Sequence, residues 1–492
     1  MGQQNIPIHF SQEDFKAFNK RLYAQVDQMR HVIRQPDFGT DPLKIGAELE
    51  IYLTDENFQV SPCNLALLEE LKDDQFQPEL NRYNVELNLS AVDVVGRPFT
   101  SMLNEMRRKM DKLEACAMKK NINIIPVGIL PTITKEDFGK DFMTDVPRYR
   151  ALSSQLAKVR GEAFKVNIQG EEPVALQFDD VTLEGANTSF QVHLMVEHKK
   201  FADIFNAAQL SLPLVIAACA NSGVFMGNLA WDETRVALFK QSLDTRIPEE
   251  VQWQQPTRVS FGHGWIRKDA WEIFAEAVAL FPPILPTLFD DPAQKGHLPG
   301  FKELRLHLGT TWPWNRPVYS REGTGHIRIE FRALPAGPSA IDMAANAAFS
   351  IGLATGLAER IEDYLAVMPF KYAEYNFYRA AKDGLDAKIL WPFENDHYLV
   401  ETPLIDVLKR LLPHAHNGLK KLGVDQSEIN LYLGIIHDRI EAGITGARWK
   451  KNSLKYLEQD YEKAEATRKM TKLYLENSRS GRPVSEWKKI WL

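Results

Sequence analysis

The chain contains few cysteines and no long apolar run. Its 492 residues include only Cys63, Cys116 and Cys219, with no C-x-x-C pair among them. A disulfide framework is therefore not expected, and a reducing compartment fits better. The longest apolar run, residues 212–220, is too short to span a bilayer, and the first residues lack the basic and apolar parts of a secretory signal. We expect a cytoplasmic protein that has no membrane partner.

The sequence also lacks an excess of positive charge and the familiar nucleotide-binding and hydrolase motifs. With 59 basic and 65 acidic residues its net charge is −6, so it has no basic footprint for nucleic acid. It contains no G-x-x-x-x-G-K-S/T loop, no G-x-G-x-x-G after a strand, no H-E-x-x-H helix and no G-x-S-x-G turn. A phosphate-binding site in this chain must therefore use metal ions and arginines rather than a glycine-rich loop.

Hydrophobic periodicity predicts strands alternating with helices over the first two thirds of the chain. Alternation with period two indicates strands, and spacing of three and four residues indicates helices. The predicted strands are residues 45–53, 85–89, 122–129, 189–196 and 325–334, and the predicted helices are residues 11–34, 65–72, 100–120 with Thr100 as the N-cap, 200–220 and 233–243. The stretch 135–186 is predicted to be loop-rich.

The pattern changes at about residue 340. From there to the end it is almost wholly helical, with few strand signals. We therefore expect an α+β fold in three parts: a helical N-terminal segment at 1–43, a catalytic core at 44–343, and an α-helical C-terminal region at 344–492 that packs on the core.

Four predicted strands carry polar groups on one face. Side chains two residues apart on a strand point to the same side. In I-G-A-E-L-E-I this places Glu48 and Glu50 together, opposite the apolar residues. The other three strands align Glu86 with Asn88, Gln191 with His193, and His326 with Arg328, Glu330 and Arg332. A half-solvated sheet gives the same alternation, but solvated faces usually draw on Lys, Thr, Ser and Gln.

These residue types suit a metal and phosphate site. Several carboxylates on one face stay ionised together only if cations lie among them. Carboxylate oxygens with one imidazole suit Mg²⁺, with Mn²⁺ as an alternative, better than zinc. Arginines in the same array can hold phosphate through paired hydrogen bonds. Enzymes that catalyse phosphoryl transfer typically place metal ions and arginines on one surface.

The same segments resemble motifs of glutamate–cysteine ligases and related carboxylate–amine ligases of the glutamine-synthetase-like superfamily. The resemblance spans about residues 44–343, and it rests on the order and spacing of motifs that are individually weak. The matching stretches are I-G-A-E-L-E-I, P-E-L-N-R-Y-N-V-E-L-N, P-V-G-I-L-P, T-S-F-Q-V-H-L, A-N-S-G, T-R-V-A-L-F, H-L-G-T-T-W-P-W-N-R-P and I-R-I-E-F-R.

The resemblance implies a mostly antiparallel, curved catalytic sheet flanked by helices. It implies ATP and Mg²⁺ as cofactors and small molecules, an amino acid and an amine, as substrates. The implied metal ligands are Glu48, Glu50, Glu79, Glu86, His193 and Glu330, with Glu330 also counted as catalytic. Arg316 and Arg332 would contact the transferred phosphate, and Arg235 would help to hold nucleotide or substrate. The expected reaction joins a carboxylate, the γ-carboxylate of glutamate in this family, to an amine such as cysteine through an acyl phosphate.

Three other functions stay open at this point. A phosphotransferase of the guanidino-kinase type would stop after phosphoryl transfer. A non-catalytic binding protein could use the same fold, although its metal ligands would be expected to erode. A metallohydrolase would act without ATP. The substrate pair, a homo-oligomeric state and the number of metals are not decided by the sequence.

Overall fold

The computed structural model describes residues 6–7, 9–246, 255–289, 297–392 and 398–492. Its centre is an eight-stranded sheet in which neighbouring strands are antiparallel. Helices flank this sheet, which confirms the predicted α+β fold with a curved antiparallel sheet.

The helices and strands alternate through the first two thirds of the chain. The strands are β1 (Lys44–Thr54), β2 (Phe76–Pro78), β3 (Asn84–Asn88), β4 (Val92–Asp93), β5 (Asn123–Ile125), β6 (Phe164–Ile168), β7 (Val174–Phe178), β8 (Phe190–Val196), β9 (Val224–Phe225), β10 (Asn228–Leu229), β11 (Val259–Ser260), β12 (Trp312–Pro313), β13 (Asn315–Ser320), β14 (His326–Phe331), β15 (Lys388–Pro392) and β16 (Leu399–Pro403). The α-helices are α1 (Gln12–Val32), α2 (Asn64–Leu71), α3 (Pro98–Met118), α4 (Pro147–Arg160), α5 (Phe201–Cys219), α6 (Arg235–Ser242), α7 (Trp271–Leu280), α8 (Lys302–Leu308), α9 (Ala340–Leu357), α10 (Ile361–Val367), α11 (Phe370–Asp383), α12 (Leu404–Lys421), α13 (Gln426–Ala442), α14 (Gly446–Leu457) and α15 (Lys463–Arg479).

Strand β1 organises the sheet. The path of hydrogen-bonded neighbours runs β13-β14-β8-β1-β3-β2, and β4 and β5 pair with the two ends of β1. Alternate residues of β1 are apolar and buried, including Ile45, Leu49 and Ile51. They belong to one hydrophobic core with residues of α3, α5 and α9, which pack against strands of the sheet. The opposite face is thereby left for polar side chains.

Helices of the C-terminal part pack tightly behind the sheet. The backbones of α9 and α12 come so close that a Cβ on Gly356 would lie 1.9 Å from the carbonyl oxygen of His414. A Cβ on Gly418 would lie 2.2 Å from the carbonyl oxygen of Gly352. No side chain fits in such a contact, so glycine at these positions permits a close helix crossing.

The last two helices also hold loops that end at the sheet. Lys450 on α14 donates a 2.5 Å hydrogen bond to the carbonyl oxygen of Asn221. Tyr474 on α15 donates to the carbonyl oxygen of Pro126, 2.9 Å away, just after β5. Asn221 in turn donates to the carbonyl oxygen of Ala336, after β14, at 2.7 Å. Loops from three parts of the chain therefore meet on α14 and α15.

Some local predictions differ from the structure. The stretch 135–186, predicted to be loop-rich, contains α4 and the β6–β7 hairpin. The almost wholly helical pattern after residue 340 is interrupted by the β15–β16 hairpin. The predicted strand 122–129 shortens to β5, because residues after it leave the sheet to form buried turns. Hairpins that are not part of the main sheet lack the long alternating pattern that would reveal them.

The prediction that Thr100 is the N-cap of α3 is wrong. The helix begins at Pro98, and the N-cap position, Arg97, makes no side-chain capping bond. Instead the carboxylate of Glu428, a buried residue of α13, accepts from the backbone N–H of Phe99 at 2.6 Å and of Thr100 at 3.2 Å. A distant acid therefore satisfies the free amides of the first turn, which sequence spacing cannot reveal.

This cap gives a stability prediction. We expect Glu428→Ala to lower the free energy of unfolding by about 2 kcal/mol, because two buried amides lose a charged acceptor. Ser101→Ala, on the exposed side of the same turn, should change it by less than about 0.5 kcal/mol. Urea unfolding followed by circular dichroism measures both. Equal effects of the two substitutions would show that Glu428 does not cap α3.

Two helical stretches, His198–Cys219 and Ala340–Val367, are long and apolar enough to cross a membrane by length and composition. In the structure, 89% and 83% of their most apolar windows are buried among other helices and strands. Packing in the core therefore accounts for their apolar composition.

Candidate active site

Two groups of three potential metal ligands lie on the polar face of the sheet. Within each group, one donor atom from every residue lies within 4.8 Å of the others. The first group is Glu48, His193 and Glu330, and the second is Glu50, Glu79 and Glu86. All six residues are those that the sequence predicted as metal ligands, and the structure brings each of them to one of these two groups.

Strand register explains most of this convergence. Glu50 on β1 lies directly opposite Glu86 on β3, and His193 on β8 lies opposite Glu330 on β14. Gly46 is the residue of β1 opposite His193, and it leaves room for the carboxylate of Glu48, two residues further along β1, to reach the imidazole. Glu79 lies just after β2, and the tight connection to β3 carries it back to Glu86.

In the first group the imidazole lies between two carboxylates. Its Nε2 is 3.3 Å from Glu48 Oε1 and 3.8 Å from Glu330 Oε1, and this buried nitrogen has no hydrogen-bond partner. An unpartnered buried nitrogen between carboxylate oxygens fits a cation that all three residues hold. On its other side, His193 Nδ1 accepts from Arg328 Nε at 3.0 Å. Ligation through Nε2 requires the proton on Nδ1, so this contact has to break when a metal binds.

Glu330 also lies between two arginines. Arg316 binds both of its carboxylate oxygens, and Arg332 Nη1 lies 3.2 Å from Oε2. Arg332 also donates to Gln191 on β8. Burial alone would raise the pKa of Glu330, but the charges of Arg316 and Arg332 hold it well below its usual range. Glu330 is therefore a permanent anion, and the arginines beside it are aligned at one wall of the site.

The second group is an acid-rich site. Ser189 N donates to Glu50 at 2.7 Å, and Asn88 donates to Glu86 at 2.7 Å. Burial raises the pKa of Glu86 to about 7, and the charges of Glu48 and Glu50 add to the rise. Burial and the nearby Glu86 and Glu50 raise the pKa of Glu79 well above its usual value. Three carboxylates this close favour a proton or a divalent cation among them.

Both groups open into one cavity of about 400 Å³. Carboxylates of both groups line it, and so do several basic side chains. The basic side chains that line it are Arg148, Lys302, Arg305, Arg316, Arg328 and Arg332. Such a surface can hold divalent cations and a polyphosphate at the same time, and it can neutralise charge that moves between them.

Comparison with known proteins identifies the family of this chain. The model of glutamate–cysteine ligase family 2 matches residues 44–472, most of the chain. The chain belongs to glutamate–cysteine ligase family 2. A curated relative, a putative glutamate–cysteine ligase 2-2 of Nocardia farcinica (strain IFM 10152), is 24% identical over 401 residues, which cover 79% of this chain and 86% of the relative.

A solved structure supports the fold. The glutamate–cysteine ligase of Francisella tularensis, in complex with AMP, is similar with a TM-score of 0.55 and 11% identity, over 90% of each chain. At this identity the similarity concerns the fold alone. The match to glutamate–cysteine ligase family 2 extends well past residue 343, into helices that the resemblance of motifs did not reach.

Arg235 differs from the other predicted site residues of this family member, because the structure does not bring it to the cavity. Its side chain is only 2% exposed. Nη1 lies 3.1 Å from Glu233 Oε1 and donates at 3.0 Å to the carbonyl oxygen of Ala333, directly after Arg332. Arg235 therefore supports the backbone that carries Arg332, and in this structure it contacts that backbone rather than the cavity.

The cavity residues that the sequence analysis missed include Arg148, Arg305 and Glu184. Arg148 lies on α4 and Arg305 on α8, and Glu184 lies on a short 3₁₀ turn, Thr182–Ala186, before β8. No strand alternation marks helices or a single turn, so their polar residues look like ordinary surface residues. The acid in L-E-G-A-N, seven residues before the conspicuous Q-V-H segment, is the weak signal that was available.

The acid-rich group of this glutamate–cysteine ligase family member gives a prediction on pH and metal. A carboxyl whose pKa is raised in the folded state stabilises the fold at low pH, and that stabilisation is lost as the pH rises through the folded-state value. In EDTA we therefore expect the Tm to fall between about pH 6 and about pH 8, which bracket the pKa of Glu86, about 7. Mg²⁺ should raise the Tm, and more at the higher pH, because protons compete with the metal.

Scanning calorimetry at both pH values, with Mg²⁺ and with EDTA, measures this effect. Glu86→Gln should flatten the pH dependence in EDTA, whereas Glu197→Gln, an exposed change after β8, should leave it unchanged. A Mg²⁺-induced shift that is equal at both pH values would contradict the linkage between proton and metal.

Proposed function

We propose that this chain is an ATP-dependent ligase that joins a carboxylate to an amine with release of ADP and phosphate. The observation that carries the proposal is the meeting of two carboxylate-rich metal groups with Arg316 and Arg332 at one cavity. Membership of glutamate–cysteine ligase family 2 supports this reaction class.

The proposed roles follow from position. Glu48, His193 and Glu330 would hold one Mg²⁺, and Glu50, Glu79 and Glu86 another, with Mn²⁺ as the alternative. Bound magnesium ions would neutralise the ATP phosphates and withdraw charge from the leaving ADP. Arg316 and Arg332 would contact the transferred phosphate, because they line the cavity beside Glu330. Glu330 would therefore both hold a metal and align these arginines.

Two steps complete the proposed reaction. An oxygen of the substrate carboxylate attacks the γ-phosphorus of ATP, the bond to the ADP oxygen breaks, and an acyl phosphate forms. The amine nitrogen then attacks the acyl carbon, the bond to the phosphate oxygen breaks, and the nitrogen loses a proton. Arginines and metal ions stabilise the charge in both transition states. The protein needs no nucleophile of its own for this chemistry.

We propose the γ-carboxylate of glutamate and the amino group of cysteine as the first substrate pair to test, because the family and the relative from Nocardia farcinica carry these names. The partners would accordingly be small molecules in the cytoplasm. Among the described residues that line the cavity there is no cysteine.

A phosphate-release screen with Mg-ATP and pairs of carboxylates and amines tests the proposal, starting with glutamate plus cysteine. Hydroxylamine, offered instead of the amine, should trap the acyl phosphate as a hydroxamate. Phosphate release that requires a carboxylate, with an amide or hydroxamate formed, supports the ligase. Transfer of phosphate to a single stable acceptor would indicate a phosphotransferase, and turnover without ATP would indicate a metallohydrolase.

A further inference from the structure

Glu184 differs from every other acid that lines the cavity. Glu48, Glu50, Glu79, Glu86 and Glu330 each belong to one of the two metal groups. Each of them also has a hydrogen bond or an ion pair. Glu184 lines the same cavity but belongs to neither group, and in the described parts of the chain its carboxylate has no hydrogen-bond or ion-pair partner. Removing a carboxylate from water without a partner costs free energy, and a cationic ligand that pairs with it offsets this cost.

The turn that carries Glu184 is held firmly. Asn81 donates to the carbonyl oxygen of Thr182 at 2.8 Å, and Asn84 donates to that of Gly185 at 2.5 Å. Tyr52 on β1 donates to the carbonyl oxygen of Ala186 at 2.7 Å. These three anchors belong to the strands and the connection that carry Glu50, Glu79 and Glu86. The position of Glu184 is therefore fixed relative to the second metal group.

The turn that carries Glu184 also packs closely against its neighbours. A Cβ on Gly185 would lie 2.5 Å from the side-chain amide of Asn81, so the residue beside Glu184 has to be glycine. This contact keeps the backbone of the turn against the connection between β2 and β3. Glu184 consequently faces the cavity from a rigid base rather than from a loose loop.

The charged groups near Glu184 affect its pKa. Burial raises its pKa to about 8, the charge of Glu50 adds to the rise, and Arg332 opposes it. Glu184 therefore lies within electrostatic reach of both the second metal group and the arginine proposed to hold the transferred phosphate. In the proposed reaction the amine nitrogen approaches the acyl carbon within the cavity that Glu184 and Arg332 both line.

We propose that Glu184 binds the ammonium group of the amine substrate and so selects a cationic acceptor. The nitrogen gives one proton to the Glu184 carboxylate before it attacks the acyl carbon, and it loses a second proton as the amide forms. This inference rests on the proposed function. The three residues of each group would hold metal, and Glu330 also pairs with two arginines. Among the described residues that line the cavity, Glu184 is the carboxylate left to pair with an ammonium. The ligand class is a primary amine that is protonated at neutral pH.

The test compares a charged acceptor with an uncharged one in the variant Glu184→Gln. With saturating glutamate and Mg-ATP, propylamine and cysteine serve as the cationic acceptors. Hydroxylamine, which is mostly uncharged at neutral pH, serves as the neutral acceptor. We expect KM for propylamine and cysteine to rise about tenfold or more, since a charged hydrogen bond is lost. KM for hydroxylamine, KM for ATP and the Mg²⁺ dependence should change less than about twofold.

The controls separate charge from structural damage. Glu184→Asp, which keeps the charge on a shorter side chain, should restore part of the lost affinity for propylamine. Glu197→Gln should behave like the wild type with every acceptor. A structural disturbance would weaken the neutral and the cationic acceptors alike and would overturn the proposal.

Three further results of this experiment would overturn the role of Glu184, the proposed function, or both. A weaker Mg²⁺ or ATP dependence in Glu184→Gln would make the residue a metal ligand and overturn its role toward the amine. Unchanged KM values for all acceptors, with wild-type amide formation intact, would overturn this inference and leave the proposed function standing. A wild-type protein that forms neither amide nor hydroxamate would overturn both.

Discussion

Glu330→Gln is expected to abolish Mg²⁺-dependent ATP turnover, with a loss of about a thousandfold or more. The substitution keeps the size of the side chain but removes the anion that meets Arg316, Arg332 and His193. The proposed first metal site would lose one of its three ligands. The two arginines would lose the group that aligns them, so both kinds of charge stabilisation would fail together.

Phosphate release at saturating Mg-ATP and substrate measures the loss. Circular dichroism and thermal unfolding should show that the variant still folds, although removing the charge beside two buried cations should lower its stability. Glu322→Gln, an exposed change in the turn between β13 and β14, is the matched control and should keep wild-type turnover. Substantial turnover in Glu330→Gln would mean that the metal site lies elsewhere.

Arg332→Ala should give the second largest effect, a fall in kcat of about a hundredfold or more. Arg332 lines the cavity and lies next to Glu330. In the proposed reaction its charge is needed most when the phosphate is transferred, so kcat should fall more than the affinity for the amino acid. Burial opposes the charge of this guanidinium, but Glu330 and Glu50 raise its pKa, so it stays charged throughout the working range.

Steady-state kinetics with each substrate varied in turn separates the two effects. Arg321→Ala, at an exposed position of the β13–β14 turn, is the control for loss of one positive charge. Arg332→Lys should recover only part of the rate, because an ammonium cannot reproduce the paired hydrogen bonds of a guanidinium. Small and equal changes in kcat and in amino-acid affinity would remove Arg332 from the phosphate role.

The sequence predicted the strand-borne part of the site well, for a physical reason. On a strand, alternation with period two fixes which side chains share a face. Glu48, Glu50, His193 and Glu330 could therefore be grouped before their register was known. Antiparallel pairing then places facing residues about 5 Å apart, which is the scale of a metal site.

Other parts of the site depend on geometry that short patterns do not encode. Glu184 lies on one turn whose position is set by side chains far away in sequence. Arg235 lies in T-R-V-A-L-F, a segment that resembles a family motif, but tertiary packing turns its guanidinium toward Glu233 and the backbone after β14. The capping of α3 by Glu428 is likewise a contact between residues more than 300 positions apart. Such contacts follow from the completed fold, not from local spacing.

The contacts of α14 and α15 with the loops of the sheet have a consequence for the evolution of this chain. Lys450 and Tyr474 donate hydrogen bonds to backbone carbonyls after α5 and β5. The side chain of Asn221 donates a further hydrogen bond to the segment after β14. Recombination at residue 343 would therefore not give a segment that keeps its structure in another protein, because the part of the chain before this residue depends on α14 and α15. A crossover inside the chain would separate loops from the helices that shape them.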